Sequence, residues 1–206
     1  MKVIECFQIL VRMAVKKYRI YIFIYLQEKK LEGWLPKMKK VQRYFLDYEF
    51  SNNNKVIEIK NKYPLKIILN DKRNYEINKF FYKQIGKDHF WRDRLVWTDK
   101  QWLKYSSNPL LNTWVLKTSD DELIGYYEIE NHENKEFELI NMGILSEYRS
   151  RGFGGLLLKH VLKQSKLANA NKVWVHTCSL DHKFALENYL SKGFKIFKKE
   201  QIDFVA

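Results

Sequence analysis

The sequence predicts an α/β domain with a mixed, largely antiparallel central sheet and flanking helices. Three observations indicate this class. After Pro109 the chain alternates short strands with tight turns, which is typical of antiparallel hairpins. Its end instead alternates strands with amphipathic helices. Apolar residues make up 46% of the 206 residues, with 13 Phe and 13 Tyr, which is enough to bury a core and excludes a mainly disordered chain.

The first hundred residues carry few regular elements. Strand-forming residues predict a strand around Val56–Ile59, after an Asn-rich turn at 51–54, and a second strand over Leu65–Leu69. Apolar residues at helical spacing predict a helix over Asn74–Ile85, which Gly86 ends. A second helix is expected to begin at Trp97-Thr98-Asp99 and to run through Tyr105.

The later elements follow one another regularly. They are predicted as strands over Thr113–Thr118, Leu123–Glu130 and Glu136–Leu145, a helix over Gly152–Ala168, a strand over Lys172–Thr177, a helix over Lys183–Lys192 and a strand over Lys195–Lys199. The long helix is the clearest, because Leu158, Val161 and Leu162 lie on one stripe while its lysines lie off it. Gly193 is expected to end the next helix.

The formal net charge is +13, from 37 Lys and Arg against 24 Asp and Glu. Such an excess is compatible with nucleic acid, anionic membranes or acidic substrates as partners. Only eight of the cations are Arg, however, and Arg is the residue favoured for bidentate recognition of phosphates and bases. We therefore expect no nucleic-acid partner, and a basic protein that binds nucleic acid or a membrane surface is the least favoured alternative.

Residues 1–37 differ from the rest, with eight cations and three Glu. We interpret them as a basic extension ahead of a domain over residues 38–206. Their apolar run, Ile20–Leu26, is too short to span a membrane, so no integral span is expected. An amphipathic surface helix, a leader peptide and a misassigned start at Met38 remain open alternatives.

Cysteine usage indicates a reducing compartment. Cys6 and Cys178 are the two cysteines, and neither a CxxC pair nor a Cys/His ligand spacing occurs. The sequence therefore predicts a cytoplasmic protein without a disulfide framework and without a metal site.

A glycine-rich segment joins the strand Glu136–Leu145 to the long helix. It reads Arg149-Ser-Arg-Gly-Phe-Gly-Gly-Leu156. Glycine lets a ligand approach the backbone closely, and the first turn of a helix presents unpaired N–H groups at the positive end of its dipole. Such a helix start suits a diphosphate. It is neither a dinucleotide fingerprint, because Leu157 stands where a third glycine is needed, nor a P-loop.

The arrangement Arg149-x-x-Gly152-x-Gly154 resembles the pyrophosphate signature of the GNAT superfamily of N-acetyltransferases. A second stretch is similar to the end of that family: a strand, a helix containing Ala185, and the ending Tyr189-x-x-x-Gly193-Phe194. The resemblance implies a splayed strand pair that holds acyl-CoA, acetyl-CoA as co-substrate, and a small-molecule or peptide amine as acceptor. A homodimer is one possible oligomeric state for such a protein.

The resemblance also implies roles for individual residues. The residues expected to bind the cofactor are Gly143, Ile144, Leu145, Arg149, Arg151, Gly152, Phe153, Gly154, Gly155 and His182. Backbone N–H groups near Gly143–Leu145 would polarise the thioester carbonyl. His182 stands where the family often has Asn, which weakens its assignment.

Two residues are expected to be catalytic. Tyr189 takes the position of the general acid that protonates the leaving thiolate, and Glu138 lies eleven residues before Arg149, where histone-acetylating members carry their base. His176 or a water is the alternative base. A charged aromatic segment, Asp88–Trp97, is expected on the acceptor side. The competing interpretation is an acyl-CoA-binding regulatory module that does not catalyse.

Overall fold

A computed structural model describes residues 38–51 and 63–205. Residues Val41–Ile202 form one compact unit, and residues 38–40 and 203–205 belong to a second unit, of which only these strand ends are described. The extension 1–37, most of the Asn-rich turn and the strand predicted at Val56–Ile59 lie outside the described residues.

The predicted elements from Leu65 onward are present, with small differences at their ends. In chain order the elements are β1 (Met38–Glu49), β2 (Leu65–Leu69), α1 (Tyr75–Gly86), α2 (Asp99–Ser106), β3 (Leu111–Thr118), β4 (Leu123–Asn131), β5 (Glu136–Ile144), α3 (Phe153–Leu167), β6 (Lys172–Cys178), α4 (Ala185–Leu190) and β7 (Lys195–Val205).

Three of these elements differ from the prediction: β7 runs to Val205 and not only to Lys199, and α4 and β1 differ as follows. Helix α4 begins at Ala185 and not at Lys183, because Asp181 closes the turn after β6. The Oδ2 atom of Asp181 accepts hydrogen bonds from Thr177 Oγ1 at 2.7 Å and from Cys178 N at 2.9 Å. Strand β1, which the sequence did not single out, is a full member of the sheet.

The seven strands of the described residues form one mixed sheet in the order β2-β3-β4-β5-β6-β1-β7. From β2 to β5, each strand pairs antiparallel with the next strand along the chain, and β5 then pairs parallel with β6. Strand β1 lies between β6 and β7 and runs antiparallel to β6, with Phe45 opposite His176. The ring of Phe45 also lies 6.1 Å from that of Phe197 in β7. The predicted fold class is therefore confirmed.

Helices cover both faces of the sheet. Helix α3 buries Leu157, Leu158 and Val161 against one face. On the opposite face, Phe81 and Ile85 of α1 pack against the sheet, and the ring of Phe81 stacks on that of Tyr126 at 4.7 Å. Helix α2 begins with a capping box formed by Thr98 and Gln101, which explains the predicted entry to this helix.

Glycine at one position of β5 allows α1 to approach closely. A Cβ on Gly143 would lie 2.7 Å from Ile85 Cγ2, closer than real side chains come. The glycine at this position is therefore required by packing. It places α1 directly against β5, along the part of the strand from which β6 has already separated.

Candidate functional site

Strands β5 and β6 pair over only part of their length. Among the described strands, the β5–β6 register comprises three rungs, of which Glu138 opposite Trp174 is the last. Beyond it, β5 continues to Ile144 on β4, while β6 continues to Cys178 on β1. The two strands therefore leave a gap with backbone groups along its edges, in which an extended chain can bind.

Some backbone N–H groups of β5 face this gap and others face β4. The N–H of Leu145 donates to Ile124 O in β4 at 2.9 Å, so it is engaged within the sheet. Successive N–H groups of a strand point in opposite directions. The N–H of Ile144 therefore faces the edge from which β6 has separated, whereas Gly143 serves mainly the packing of α1.

The glycine-rich segment forms the start of α3. Ser150 and Gly152 both have positive φ, 64° and 79°, and the Leu156 N–H bonds Gly152 O at 3.1 Å to open the helix. Phe153 is 5% exposed in the core, so only its backbone can face a ligand. A Cβ on Gly154 would meet nothing closer than the Asn188 side chain at 3.7 Å. The fold itself therefore does not require glycine at position 154.

The two arginines of this segment already have protein partners. Arg149 donates from Nε to Ile144 O at 3.2 Å and pairs with Asp88 at 3.0 Å. Arg151 donates to Glu147 O at 3.2 Å and lies over the Tyr148 ring. In this arrangement both arginines hold the shape of the loop through contacts within the protein.

Helix α4 supplies a second wall beside the start of α3. A Cβ on Gly155 would lie 3.5 Å from Asn188 Oδ1 and 3.7 Å from Lys192 Nζ. Asn188 of α4 and Lys192, two residues beyond the end of α4, therefore both reach the start of α3. Lys192 brings a positive charge that the sequence analysis did not assign to the site, because the approach of α4 to α3 is set by the fold.

His182 lies close to the same loop. Its ring is 6.1 Å from that of His89, and burial, followed by the charges of Arg149, His89 and Lys183, lowers its pKa. A neutral ring in this position can accept a hydrogen bond from a ligand or present an apolar edge to it.

Glu138 lies at the last rung before the gap, on the sheet face that α1 and α2 cover in part. Its Oε2 is 3.0 Å from His132 Nε2, and its side chain is 19% exposed. The His132 ring lies 6.2 Å from that of Trp174 in β6. Sequence reasoning did not assign a role to His132, because this residue precedes Glu138 by a turn that gives no sign of the contact.

Tyr189 lies inside the core, next to the Phe194 ring at 5.7 Å. Burial, with a further contribution from the charge of Asp181, raises its pKa well above the ordinary range. The hydroxyl therefore stays protonated and can donate, while full release of its proton is disfavoured.

His176, the alternative base, lies on β6 two residues beyond Trp174. Its ring packs 5.9 Å from that of Phe45 in β1. It therefore lies across the gap from β5, on the β1 side of the site.

A buried carboxylate, Glu128, links the helices to this face of the sheet. Asn78 Nδ2 of α1 donates to its Oε1 at 2.6 Å, and Asn141 Nδ2 of β5 donates to its Oε2 at 2.6 Å. The Tyr105 hydroxyl of α2 donates to Oε2 at 2.8 Å. Glu128 itself is fully buried, which requires such partners.

Arg94 completes this network from the charged aromatic segment. Its guanidinium donates to Glu128 Oε2 at 3.2 Å and lies 4.2 Å from the centroid of the Tyr105 ring. Burial works against its charge, but Glu128 and neighbouring hydroxyls outweigh burial, so its pKa is raised. The segment expected on the acceptor side therefore contributes a structural ion pair. A charged residue inside the apolar run of β4 is the sequence signal that indicates such a partner.

Comparison with known families gives a consistent result. The family model described as "Acetyltransferase (GNAT) family" matches residues 72–194. The matched region contains the gap, the glycine-rich segment and helix α4. No helix among the described residues has the length and apolar character that a bilayer crossing needs.

Solved structures resemble the fold at low sequence identity. A GCN5-related N-acetyltransferase from Sphaerobacter thermophilus matches with a TM-score of 0.61 at 13% identity, over 87% of this chain and 55% of the other. One from Kribbella flavida gives 0.54 at 13%, over 81% and 58%. An aminoglycoside acetyltransferase from an uncultured soil metagenomic sample gives 0.54 at 12%, over 63% and 88%. The chain thus spans little more than half of the first two relatives.

Proposed function

The chain belongs to the GNAT acetyltransferase family, and we propose that it transfers an acetyl group from acetyl-CoA to a primary amine. One observation carries the proposal: the gap between β5 and β6 lies before the start of α3, where the packing of the fold does not require glycine at position 154. A glycine that the fold does not require is expected where a ligand approaches the backbone. An extended thioester arm along the gap would place its phosphates at this helix start.

The cofactor site is built mainly from the backbone. We assign pyrophosphate binding to the N–H groups of residues 152–155, with Lys192 adding charge and Arg149 and Arg151 holding the loop in shape. The N–H groups along the open edge of β5, of which that of Ile144 is one, would bind the arm of acetyl-CoA, and those nearer Glu138 would donate to the thioester carbonyl and stabilise the oxyanion that forms on attack.

The chemistry needs a base on the acceptor side and an acid on the sulfur side. An amine attacks only when neutral, and Glu138 is the group that we propose for the base side, at the closed end of the gap. Tyr189 is proposed to donate to the leaving thiolate. Its raised pKa favours a donated hydrogen bond over complete proton release before the C–S bond breaks. The transfer is direct, without a covalent enzyme intermediate.

Acetyl-CoA binding and turnover test this function. We expect calorimetry to detect acetyl-CoA binding, and a thiol-release assay over polyamines, amino acids, aminoglycosides and peptide amines to find at least one acceptor. An absence of binding would refute the proposal. Binding without turnover over the whole panel would instead favour the regulatory acyl-CoA-binding module.

A further inference from the structure

An aromatic surface extends from the last β5–β6 rung across β6, β1 and β7. It consists of Phe45, Trp174, His176 and Phe197. Residues opposite each other on neighbouring strands share one face of a sheet, and so do residues two apart along a strand. Trp174 is opposite Glu138 at the last rung, and His176 follows two residues later. Phe45 of β1 is opposite His176, so the aromatic surface begins beside Glu138 and lies on the same face.

Ring contacts extend this surface as far as β7. The Phe45 ring lies 5.9 Å from that of His176 and 6.1 Å from that of Phe197. Phe197 is 56% exposed, and His176 is exposed as well. Two phenylalanine rings and an imidazole therefore offer flat, accessible faces and edges against which the ring of a ligand can pack.

On the other side of Glu138, toward β4, the same face of the sheet is polar. Glu130 lies opposite Glu138 and accepts a hydrogen bond from Asn108 Nδ2 at 2.6 Å. Two residues earlier in β4, Glu128 is fully buried within its network of hydrogen bonds to α1, α2, β5 and Arg94. An apolar group on an amine held at Glu138 therefore finds its apolar contacts over β6 and β1, and not over β4.

Charged side chains border the aromatic surface on β1 and β7. Lys198 Nζ lies 4.7 Å from the centroid of the Phe45 ring and 2.9 Å from Glu200 Oε2. Arg43 Nη1 lies 3.3 Å from Oε1 of the same carboxylate. At about 4.8 Å per strand spacing, Phe45 lies roughly 10 Å from Glu138, across two spacings. A single aromatic ring on a short aliphatic chain fits between these limits.

We propose that the aromatic surface binds the acceptor, and that the preferred acceptor is a primary amine with one aromatic ring on a short aliphatic chain. This inference rests on the proposed function and deepens it by naming the substrate class. Glu130 and Glu138 lie opposite each other, and their negative charge attracts the ammonium form of the amine. The ring packs on Phe45 and Phe197, which holds the nitrogen at Glu138 and the gap.

Steady-state kinetics of the full chain with two matched amines test the inference. We expect kcat/KM for 3-phenylpropylamine to exceed that for n-propylamine at least about tenfold, because the two share a chain and only the first has a ring to bury. Phe197→Ala and Phe45→Ala should each raise the KM for 3-phenylpropylamine about fivefold with little change in kcat, because the lost contact is made before and during the reaction alike. Phe80→Ala, on the exposed side of α1, is the matched control and should alter neither amine.

Turnover of n-propylamine separates a loss of ring binding from a loss of folding, because a misfolded variant loses both amines. Phe197 is largely exposed, so its truncation leaves the core intact. Equal kcat/KM for the two amines in wild type, or a Phe197→Ala variant that affects both amines alike, would overturn this inference and leave the proposed function standing. Turnover of other amines in the panel without that of 3-phenylpropylamine would do the same. A wild-type chain that turns over no amine contradicts the proposed function and this inference with it.

Discussion

Burial changes the chemistry of individual side chains in the core. On the α3 face, His160 bonds Tyr127 OH through Nδ1 at 2.9 Å and packs its ring 4.8 Å from that of Trp114. Burial lowers the pKa of His160 to about 4, with a smaller contribution from Lys163. Tyr189 shows the opposite direction, because burial disfavours the anionic form of a phenol.

The lowered pKa of His160 predicts a loss of stability in mild acid. The unfolded chain binds a proton near pH 6.5, whereas the folded protein resists it down to about pH 4. The contribution of neutral His160 to the free energy of unfolding is therefore fully present above pH 6.5, and it is lost as the pH drops from 6.5 to 4. After a discount for solvent screening, the loss amounts to about 2 kcal/mol. Urea unfolding at pH 7 and pH 5 should show a smaller drop in His160→Gln than in wild type, and equal drops would contradict this.

Replacement of the Tyr189 hydroxyl tests its proposed role as donor to sulfur. We expect Tyr189→Phe to lower kcat by about 10- to 100-fold at saturating acetyl-CoA, because the departing thiolate loses its donor. The free energy of unfolding should change little, since the ring keeps its contact with Phe194. Tyr75→Phe, at the start of α1 and away from the gap, serves as control. Unchanged turnover would remove Tyr189 from the mechanism.

At the scale of elements, two glycines at the start of α3 differ in whether the fold requires them. Gly152 has a φ of 79°, a conformation that other residues adopt with strain, so the turn itself requires it. A Cβ on Gly154 would make only an ordinary van der Waals contact with Asn188, and the residue lies in helical conformation. Alanine is the better helix former at such a position.

Gly154→Ala should therefore have opposite effects on stability and binding. We expect the free energy of unfolding to stay unchanged or to rise by up to about 1 kcal/mol. The Kd for acetyl-CoA should rise at least fivefold, because a Cβ keeps a phosphate away from the helix N–H groups. Calorimetry and urea unfolding measure the two quantities, with Lys163→Ala on the exposed side of α3 as control. An unchanged Kd would argue against phosphate binding at this helix start.

The same elements show what sequence can and cannot predict. Periodicity and caps located α1, α2, α3 and β2 to β6, because these signals are local. The separation of β5 from β6 was expected only through the resemblance at Arg149–Gly154. The Arg94–Glu128 pair, the approach of Lys192 to Gly155 and the His132–Glu138 contact depend on how elements pack, which no local pattern specifies.

Across the molecule, one buried ion pair joins the helical layer to the sheet. Glu128 in β4 receives hydrogen bonds from α1, α2 and β5, and Arg94 holds it from the segment between the two helices. Removal of one member leaves an uncompensated charge in the interior, which usually costs more than the pair contributes when intact.

Arg94→Met should thus destabilise the fold by about 3 kcal/mol, as expected for a broken buried pair. Glu128→Gln added to it should recover part of this loss, because the remaining amide is uncharged. Urea unfolding of the two single variants and the double variant measures the coupling. Strictly additive losses would show that the two charges do not depend on each other.

The position of β1 has a consequence for synthesis of the chain. Among the described strands its neighbours are β6 and β7, which begin at Lys172 and Lys195, so neither of these partners exists until the chain has been made as far as Lys172. At roughly 5–20 residues per second, that interval lasts on the order of 10 s. A nascent chain in this state can expose β1 to chaperones and to other chains before either of these neighbours has been made. This part of the sheet can close only when β1 and the C-terminal strands β6 and β7 are available together.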